Sequence, residues 1–154
     1  MKSEYINAFY KATIDVFHLM LDVEIKRGDL SLVEGMISSK DANVVLGVTG
    51  DLKGSILFGL PKEMALKMIK IMCSMEMDEI DSFVSSALGE MANIIGGNAL
   101  TILNSNNYVC DIVPPQIFIG EYKSYSMANK KALLLPILTS IGNFDIHIFL
   151  EEEN

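Results

Sequence analysis

The stretch from Ile80 to Leu103 constrains the fold more than any other part of the chain, because it has the period of one long two-faced helix. At about 100° per residue, its large apolar side chains cluster on one side. The members of this apolar side are Ile80, Val84, Ala87, Met91, Ile94, Ile95 and Ile102. This clustering predicts a helix that packs one face against a core.

The opposite face of this helix consists of small residues, where a solvated helix usually carries many Lys and Glu side chains. Its members are Ser82, Ser86, Gly89, Glu90, Asn93 and Gly97. Glu90 and Asn93 stand three residues apart and therefore point the same way, so both can act on one object that lies on this face. The pattern predicts a surface that another molecule approaches closely.

Tight packing within the domain is the alternative interpretation of these Ser and Gly residues. Gly96 and Gly97 would then end the helix early, because each costs about 1 kcal/mol relative to Ala in a helix interior. Glu90 and Asn93 argue against packing, since a buried carboxylate needs a charge partner and a buried carboxamide has four hydrogen-bonding positions to fill.

Length and composition limit the possible functions. The 154 residues fit a single domain, 1–154, and half of them are hydrophobic, which is enough for a substantial core. The net charge of −8 argues against sequence-independent binding to nucleic acid or to an anionic membrane. No apolar run approaches the roughly 18 residues of a membrane span, and the N-terminal segment lacks the apolar core of a signal peptide. Only two cysteines occur, as expected of reduced thiols, so we expect a cytoplasmic protein.

Helical and strand periods alternate along the rest of the chain. We predict one helix from Ser3, as its N-cap, to about Leu21, and another that begins at Pro61. Predicted strands are Val23–Ile25, Ser31–Ile37, Asn43–Thr49, Lys53–Leu60, Tyr108–Val113, Ile117–Gly120, Tyr122–Met127, Ala132–Thr139 and Phe144–Leu150, with turns at 28–29, 50–51 and 142–143. This order predicts an α+β fold in which long helices pack on one face of a mainly antiparallel sheet.

Common catalytic and metal-binding motifs are absent from the sequence, including glycine-rich phosphate loops, G-x-S-x-G, C-x-x-C and H-x-x-x-H. His18 and His147 belong to no recognisable ligand set, so we predict no metal site. A second Glu-x-x-Asn occurs at Glu4 and Asn7. It lacks the surrounding Ser and Gly residues, and we expect it to be structural rather than a second active face.

The spacing Ser86-x3-Glu90-x2-Asn93, followed about 20 residues later by Pro114-Pro115, resembles the signature of the CheC/CheX/FliY family of chemotaxis phosphatases. In that family the signature is Asp or Ser, three residues, Glu, two residues, Asn, and then a downstream Pro. The Pro pair here is slightly closer to the motif than the family pattern leads us to expect.

Three flanking segments extend the resemblance over nearly the whole chain. Gly50–Phe58 is similar to the family's first hairpin, Asp111–Gly120 to the strand after the motif helix, and Leu135–Phe144 to the closing hairpin. A single motif at this length is most similar to the CheX branch, since CheC-like members carry two motif helices.

The resemblance implies a CheC-like fold and hydrolysis of the aspartyl phosphate on a CheY-type response-regulator receiver domain. It also implies roles for Asn93, which would orient a water in line with the phosphorus, and for Glu90, which would pair with the receiver's active-site Lys. The small residues Ser82, Ser86, Gly89 and Gly97 would let the helix backbone approach the phosphate. The resemblance implies no cofactor of the protein's own, because the receiver supplies Mg²⁺ and a Lys and leaves only the water to be placed.

Two further questions stay open at the level of sequence. A non-catalytic adaptor of the receiver-binding or flagellar-switch type would use the same helix face for docking alone, although docking does not require Asn93. The resemblance to CheX also implies a homodimer joined through edge strands. Leu133–Leu138 and Phe144–Leu150 carry few charges, as unprotected edges would, but both could instead be interior strands of a monomer.

Overall fold

The computed structural model describes residues 1–34, 36–38, 40–120, 124–126 and 131–152, which contain three helices and ten strands. The helices are α1 (Ser3–Leu21), α2 (Lys62–Cys73) and α3 (Ser82–Ser105). The strands are β1 (Ile25–Arg27), β2 (Ser31–Val33), β3 (Met36–Ser38), β4 (Ala42–Gly50), β5 (Leu52–Leu60), β6 (Cys110–Ile112), β7 (Gln116–Ile119), β8 (Ser124–Ser126), β9 (Ala132–Thr139) and β10 (Gly142–Glu152).

Eight of these strands form one sheet whose central order is β1-β9-β10-β5-β4-β6. β2 also pairs with β9, β7 also pairs with β4, and every described pairing is antiparallel. β3 and β8 pair with each other as a separate two-stranded ribbon. The predicted α+β class with a mainly antiparallel sheet is therefore confirmed.

The core lies between the helices and one face of the sheet. Alternate residues of the central strands, such as Ile56 and Ile146, point to this face and are fully buried. From the helices, Phe17 stacks on Phe144 with ring centroids 5.4 Å apart. No described helix is both long and apolar enough to cross a membrane.

The other face of the sheet carries a smaller apolar cluster. Leu57 alternates with the core-facing residues of β5, so its side chain points away from the helices. It is buried together with Ile37 of β3 and Ala132 of β9. The β3–β8 ribbon thus contributes a third, partial layer.

Local hydrogen bonds explain where the helices begin. The Asp81 carboxylate accepts a 2.9 Å hydrogen bond from the Val84 amide and caps α3. The Asp41 carboxylate does the same for the Lys62 amide at the start of α2, at 2.7 Å. α1 differs from its prediction, because Lys2 occupies the N-cap position without a side-chain cap and Ser3 is already helical.

Several predicted boundaries change in the structure. The last hairpin turns at residues 140–141 rather than 142–143, because the Thr139 hydroxyl donates to the Gly142 carbonyl at 2.6 Å and accepts from the Ile141 amide at 3.1 Å. The predicted strand Ser31–Ile37 is divided into β2 and β3, and β1 begins only at Ile25. Of the predicted strand 122–127, only 124–126 lies within the described residues.

Of the two interpretations of the apolar C-terminal segments, the structure contradicts exposed edges and agrees with interior strands. β10 lies between β9 and β5, and β9 lies between β10 and the short strands β1 and β2. Their low charge reflects burial inside the sheet. Among the described strands, the edges are β1 and β2 on one side and β6 and β7 on the other.

Candidate active site

One row of side chains runs along the solvent side of α3. From Phe83 onward, successive members lie three or four residues apart, and Ser82 stands four residues before Ser86, so all of them fall within a sector of about 100°. We call this row the α3 ridge; its members are Ser82, Phe83, Ser86, Glu90, Asn93 and Gly97. The first four are exposed, and Asn93 and Gly97 are half-buried.

The glycines of α3 have different surroundings. Gly89 is buried, and a Cβ atom placed on it would come within 2.8 Å of the Ile117 side chain on β7. Gly96 is also buried, and a Cβ atom placed on it would come within 2.8 Å of the Leu46 side chain on β4. Both glycines let α3 approach the sheet closely. A Cβ on Gly97, in contrast, would meet no atom within 4 Å.

Each interpretation of the small residues therefore holds for part of the helix: Gly89 and Gly96 pack within the domain, whereas Gly97 is open. The expectation that Gly89 forms part of the exposed face is wrong, since its Cα lies against β7. The expectation that Gly96 and Gly97 end the helix is also wrong, because α3 continues to Ser105. Its apolar side is also rotated from the predicted one, so that Leu88 and Ala99 are buried while Ile94 is only half-buried.

Glu90 and Asn93 lie side by side near the middle of the ridge. Within the described part of the chain, neither side chain has a hydrogen-bond or ion-pair partner. An exposed carboxylate accepts hydrogen bonds only, whereas a carboxamide both donates and accepts. The pair therefore presents an anion and an adjustable dipole, about one helical turn apart, to a molecule that binds the ridge.

The Pro pair flanks this site. Pro115, in the connection between β6 and β7, is half-buried, and its Cγ lies 3.8 Å from the position that a Cβ on Gly89 would occupy. The Val113 amide, just before the pair, donates to the Gly47 carbonyl at 2.8 Å. This bond and the restricted backbone of proline hold the connection against α3 at Gly89, the residue that precedes Glu90.

The second Glu-x-x-Asn has a different environment. The Glu4 carboxylate accepts a 2.6 Å hydrogen bond from the Tyr108 hydroxyl. Tyr108 also accepts from the Lys2 ammonium, which donates to Glu152 at 2.7 Å and thereby lowers the pKa of the Glu152 carboxyl. Glu4 thus belongs to a network that ties the start of α1 to the end of β10, as expected of a structural residue.

Neither histidine lies on the ridge. His18 is exposed on α1 and its Nδ1 lies 2.9 Å from a Glu24 carboxylate oxygen. His147 is buried in β10. The described residues contain no group of three or more His, Cys, Asp and Glu side chains that could hold a metal ion.

Phe83 is a ridge residue that the sequence analysis missed. It is 43% exposed, although aromatic side chains are usually buried in a core. The signal was available in the helical period, because a residue seven positions before Glu90 lies within about 20° of it on the helix.

Comparison with known proteins gives the same family as the motif. The family model described as chemotaxis phosphatase CheX matches residues 42–138, which include α3 and the Pro pair. The CheY-P phosphatase CheX of Thermotoga maritima is 29% identical over 153 residues, covering 96% of each chain.

Solved structures have the same fold. A chain of the CheX–CheY–BeF3–Mg²⁺ complex from Borrelia burgdorferi is 31% identical, with a TM-score of 0.79 over 96% of this chain and 98% of that one. A CheC-like superfamily protein from Shewanella sp. PV-4 has a TM-score of 0.90, covering 98% and 99%; at 24% identity this likeness concerns the fold alone. With a family model that matches more than half of its length, this chain belongs to the chemotaxis phosphatase CheX family.

Proposed function

We propose that this protein hydrolyses the aspartyl phosphate of a CheY-type response-regulator receiver domain and so ends a chemotaxis signal. One observation carries the proposal: Glu90 and Asn93 stand side by side on the exposed face of a helix of a CheX-family chain, and no described residue pairs with either side chain. The Thermotoga relative is named a CheY-P phosphatase, and the Borrelia relative was solved together with CheY, BeF3 and Mg²⁺.

Asn93 is the proposed water-positioning residue. An aspartyl phosphate is a reactive acyl phosphate, so catalysis consists mainly of placing a water in line with phosphorus. The Asn93 carbonyl oxygen accepts a hydrogen bond from that water, while its NH₂ group can donate to a phosphoryl oxygen. The water oxygen then bonds to phosphorus as the bond between phosphorus and the aspartyl oxygen breaks, which releases phosphate.

Glu90 is the proposed register residue. Its carboxylate pairs with the Lys of the receiver's phosphorylation site through a charge-assisted hydrogen bond. A surface without a Lys at this point would leave the carboxylate unpaired, which disfavours the wrong partner. The α3 backbone can approach the phosphorylation site closely, because the ridge residues Ser82, Ser86 and Gly97 are small.

Mg²⁺ is proposed to belong to the receiver, where it neutralises phosphoryl oxygens. The protein itself needs no cofactor in this scheme. Because the proposed substrate is a chemotaxis response regulator, the cytoplasm is the proposed location as well.

Phosphate release from a panel of phosphorylated receivers, with and without this protein, tests the proposal. With the wild-type protein, we expect faster phosphate release from at least one receiver. With the Asn93→Ala variant, we expect release at the rate seen without any added protein. Tight binding to a phosphorylated receiver without faster release would instead identify the protein as a non-catalytic adaptor. Failure to accelerate release from any receiver of the same organism would contradict the phosphatase assignment.

We also propose a homodimer, formed through the β1–β2 edge of the sheet. This edge exposes Leu32, at 61%, and the neighbouring Leu138 of β9, at 39%. Such apolar edges tend to be paired or covered. α3 packs near the opposite edge, against β6 and β7, so pairing of two β1–β2 edges leaves both α3 ridges free.

Light scattering at low micromolar concentration tests the dimer. We expect a mass near twice the 17.0 kDa of one chain, and a return to one chain in a Leu32→Lys variant. Leu19→Lys, at an exposed leucine of α1, is the matched control. A wild-type mass of one chain would exclude the dimer and leave the phosphatase proposal untouched.

A further inference from the structure

The Phe83 side chain is exposed, and no role in starting or packing α3 among the described residues accounts for an aromatic residue there. Of the aromatic residues whose burial the structure describes, Phe83 alone is exposed. It is the second residue of α3, where the Asp81 cap on Val84 already holds the helix start. A hydrophobic staple would pair the residues at 80 and 85, so it does not involve Phe83.

The position of Phe83 relates it to the proposed active pair. Seven residues correspond to about two turns, so Phe83 stands roughly 10 Å along the helix from Glu90 and within about 20° of its direction. Between them, the ridge carries only Ser86. A small side chain there leaves the Phe83 ring open to a partner that covers the ridge.

We infer that Phe83 is the apolar anchor by which the α3 ridge holds the receiver domain, on receiver surface outside the phosphorylation pocket. This inference rests on the proposed function and names a partner contact of the same site. The other ridge residues are Ser, Gly, one carboxylate and one carboxamide, which bury little apolar area on binding. Aromatic residues, in contrast, supply much of the affinity at protein interfaces.

The division of roles follows from the distances. Glu90 and Asn93 reach the phosphorylation site, while Phe83, two turns away, contacts neither the phosphorus nor the water. Its truncation should therefore weaken the complex and leave the chemical step unchanged. Phe83 thereby also contributes to specificity, because receivers that differ beside the phosphorylation pocket will bind the ring with different affinity.

Steady-state hydrolysis of a phosphorylated receiver tests the inference. We expect Phe83→Ala to raise KM at least about tenfold while kcat stays within about twofold of wild type. Phe83→Leu should recover most of the affinity. Leu19→Ala, which truncates the most exposed of the described large hydrophobic residues, on α1, is the matched control and should change neither constant. Because the Phe83 ring is exposed, we expect the thermal unfolding midpoint of Phe83→Ala to stay close to wild type.

Direct titration with a receiver that carries BeF3 and Mg²⁺ separates this inference from the proposed function. Tenfold weaker binding of Phe83→Ala supports the anchor, even if no receiver is hydrolysed. If Phe83→Ala leaves both the dissociation constant and KM unchanged, or lowers only kcat, the anchor is overturned. Faster phosphate release in the presence of the wild-type protein would still support the phosphatase in that case.

Discussion

Glu4 and Glu90 occur in the same local pattern, Glu-x-x-Asn, yet their environments differ. Glu4 accepts a hydrogen bond from Tyr108 and belongs to a network between chain ends. Glu90 has no such bond within the described residues, and it shares an exposed helix face with Asn93. A motif of two residues therefore becomes a candidate site only where the surrounding side chains leave both groups available.

Replacing Asn93 should separate chemistry from binding. We expect Asn93→Ala to reduce the acceleration of dephosphorylation by on the order of 10²-fold or more, because the water loses its positioning group. Affinity for the receiver should change little. Asn7→Ala, in the Glu-x-x-Asn of α1, is the matched control and should behave as wild type. Near-normal phosphate release by Asn93→Ala would refute the water-positioning role.

Replacing Glu90 should affect binding first. Glu90→Ala should weaken the receiver complex by roughly 1.5–3 kcal/mol if the Glu–Lys pair is desolvated. Glu90→Lys should weaken it further, because two ammonium groups then repel each other. Titration calorimetry measures both effects, and equal affinities for wild type and both variants would remove Glu90 from the interface.

At the scale of the element, α3 carries its packing face and the proposed recognition face on adjacent sectors. Gly89 and Gly96 are seven residues apart and face the sheet, where a side chain would collide with Ile117 or Leu46. Gly97, one residue further, faces solvent. Two consecutive glycines of α3, Gly96 and Gly97, therefore have opposite environments, one packed on the sheet and one open.

A substitution at Gly97 should increase stability and decrease activity together. Gly97→Ala should stabilise the fold by about 0.5–1 kcal/mol, because Ala is the better helix former and its Cβ meets open space. The added methyl group stands on the ridge beside Asn93, so we expect slower dephosphorylation.

Asn98→Ala is the control for this experiment. Asn98 is exposed on α3 but lies about 100° from Gly97 around the helix, away from the ridge. It should gain helix propensity without loss of activity. Chemical unfolding and phosphate release measure the two effects, and full activity of Gly97→Ala would show that the ridge tolerates a side chain there.

At the scale of the whole molecule, the sheet's outer face contains a buried histidine. His147 of β10 is 7% exposed, and its Nδ1 has no hydrogen-bond partner within the described residues. Burial lowers the pKa of His147; the nearby Asp145 carboxylate opposes this shift and the Lys40 ammonium adds to it. Asp145 and Lys40 themselves lie 3.8 Å apart.

This histidine should make stability depend on pH. Because its pKa is lower in the folded state than the usual value near 6.5, the unfolded chain binds the proton first. The stabilisation is present above about pH 6.5 and is lost as the pH falls from there through the lowered pKa.

His147→Leu should therefore flatten the dependence of the free energy of unfolding on pH between about 7 and 5. It also removes a buried unpaired nitrogen, a defect that costs about 1–3 kcal/mol. The chain has only two histidines, so His18→Leu, at an exposed site, is the control. Urea unfolding at several pH values measures the effect, and identical pH profiles for wild type and His147→Leu would contradict it.

Much of the fold followed from local patterns in the sequence. α1 ends at Leu21 and β9 spans Ala132–Thr139 as predicted, because helical and strand periods are properties of consecutive residues. The β4–β5 hairpin followed from its Gly-Asp turn in the same way. The Glu90–Asn93 pair was also identified from sequence, since residues three apart on a helix must share a face.

Only the tertiary structure decided which residues of these elements meet a neighbour. The helical period groups residues into faces, but the position of the sheet determines that Gly89 packs on β7 while Gly97 and Phe83 remain open. Strand order likewise determines that the apolar segments of β9 and β10 are interior, because edge and interior strands can share one composition. Periodicity depends on neighbours in sequence and was readable from the chain, whereas burial depends on neighbours in space and required the fold.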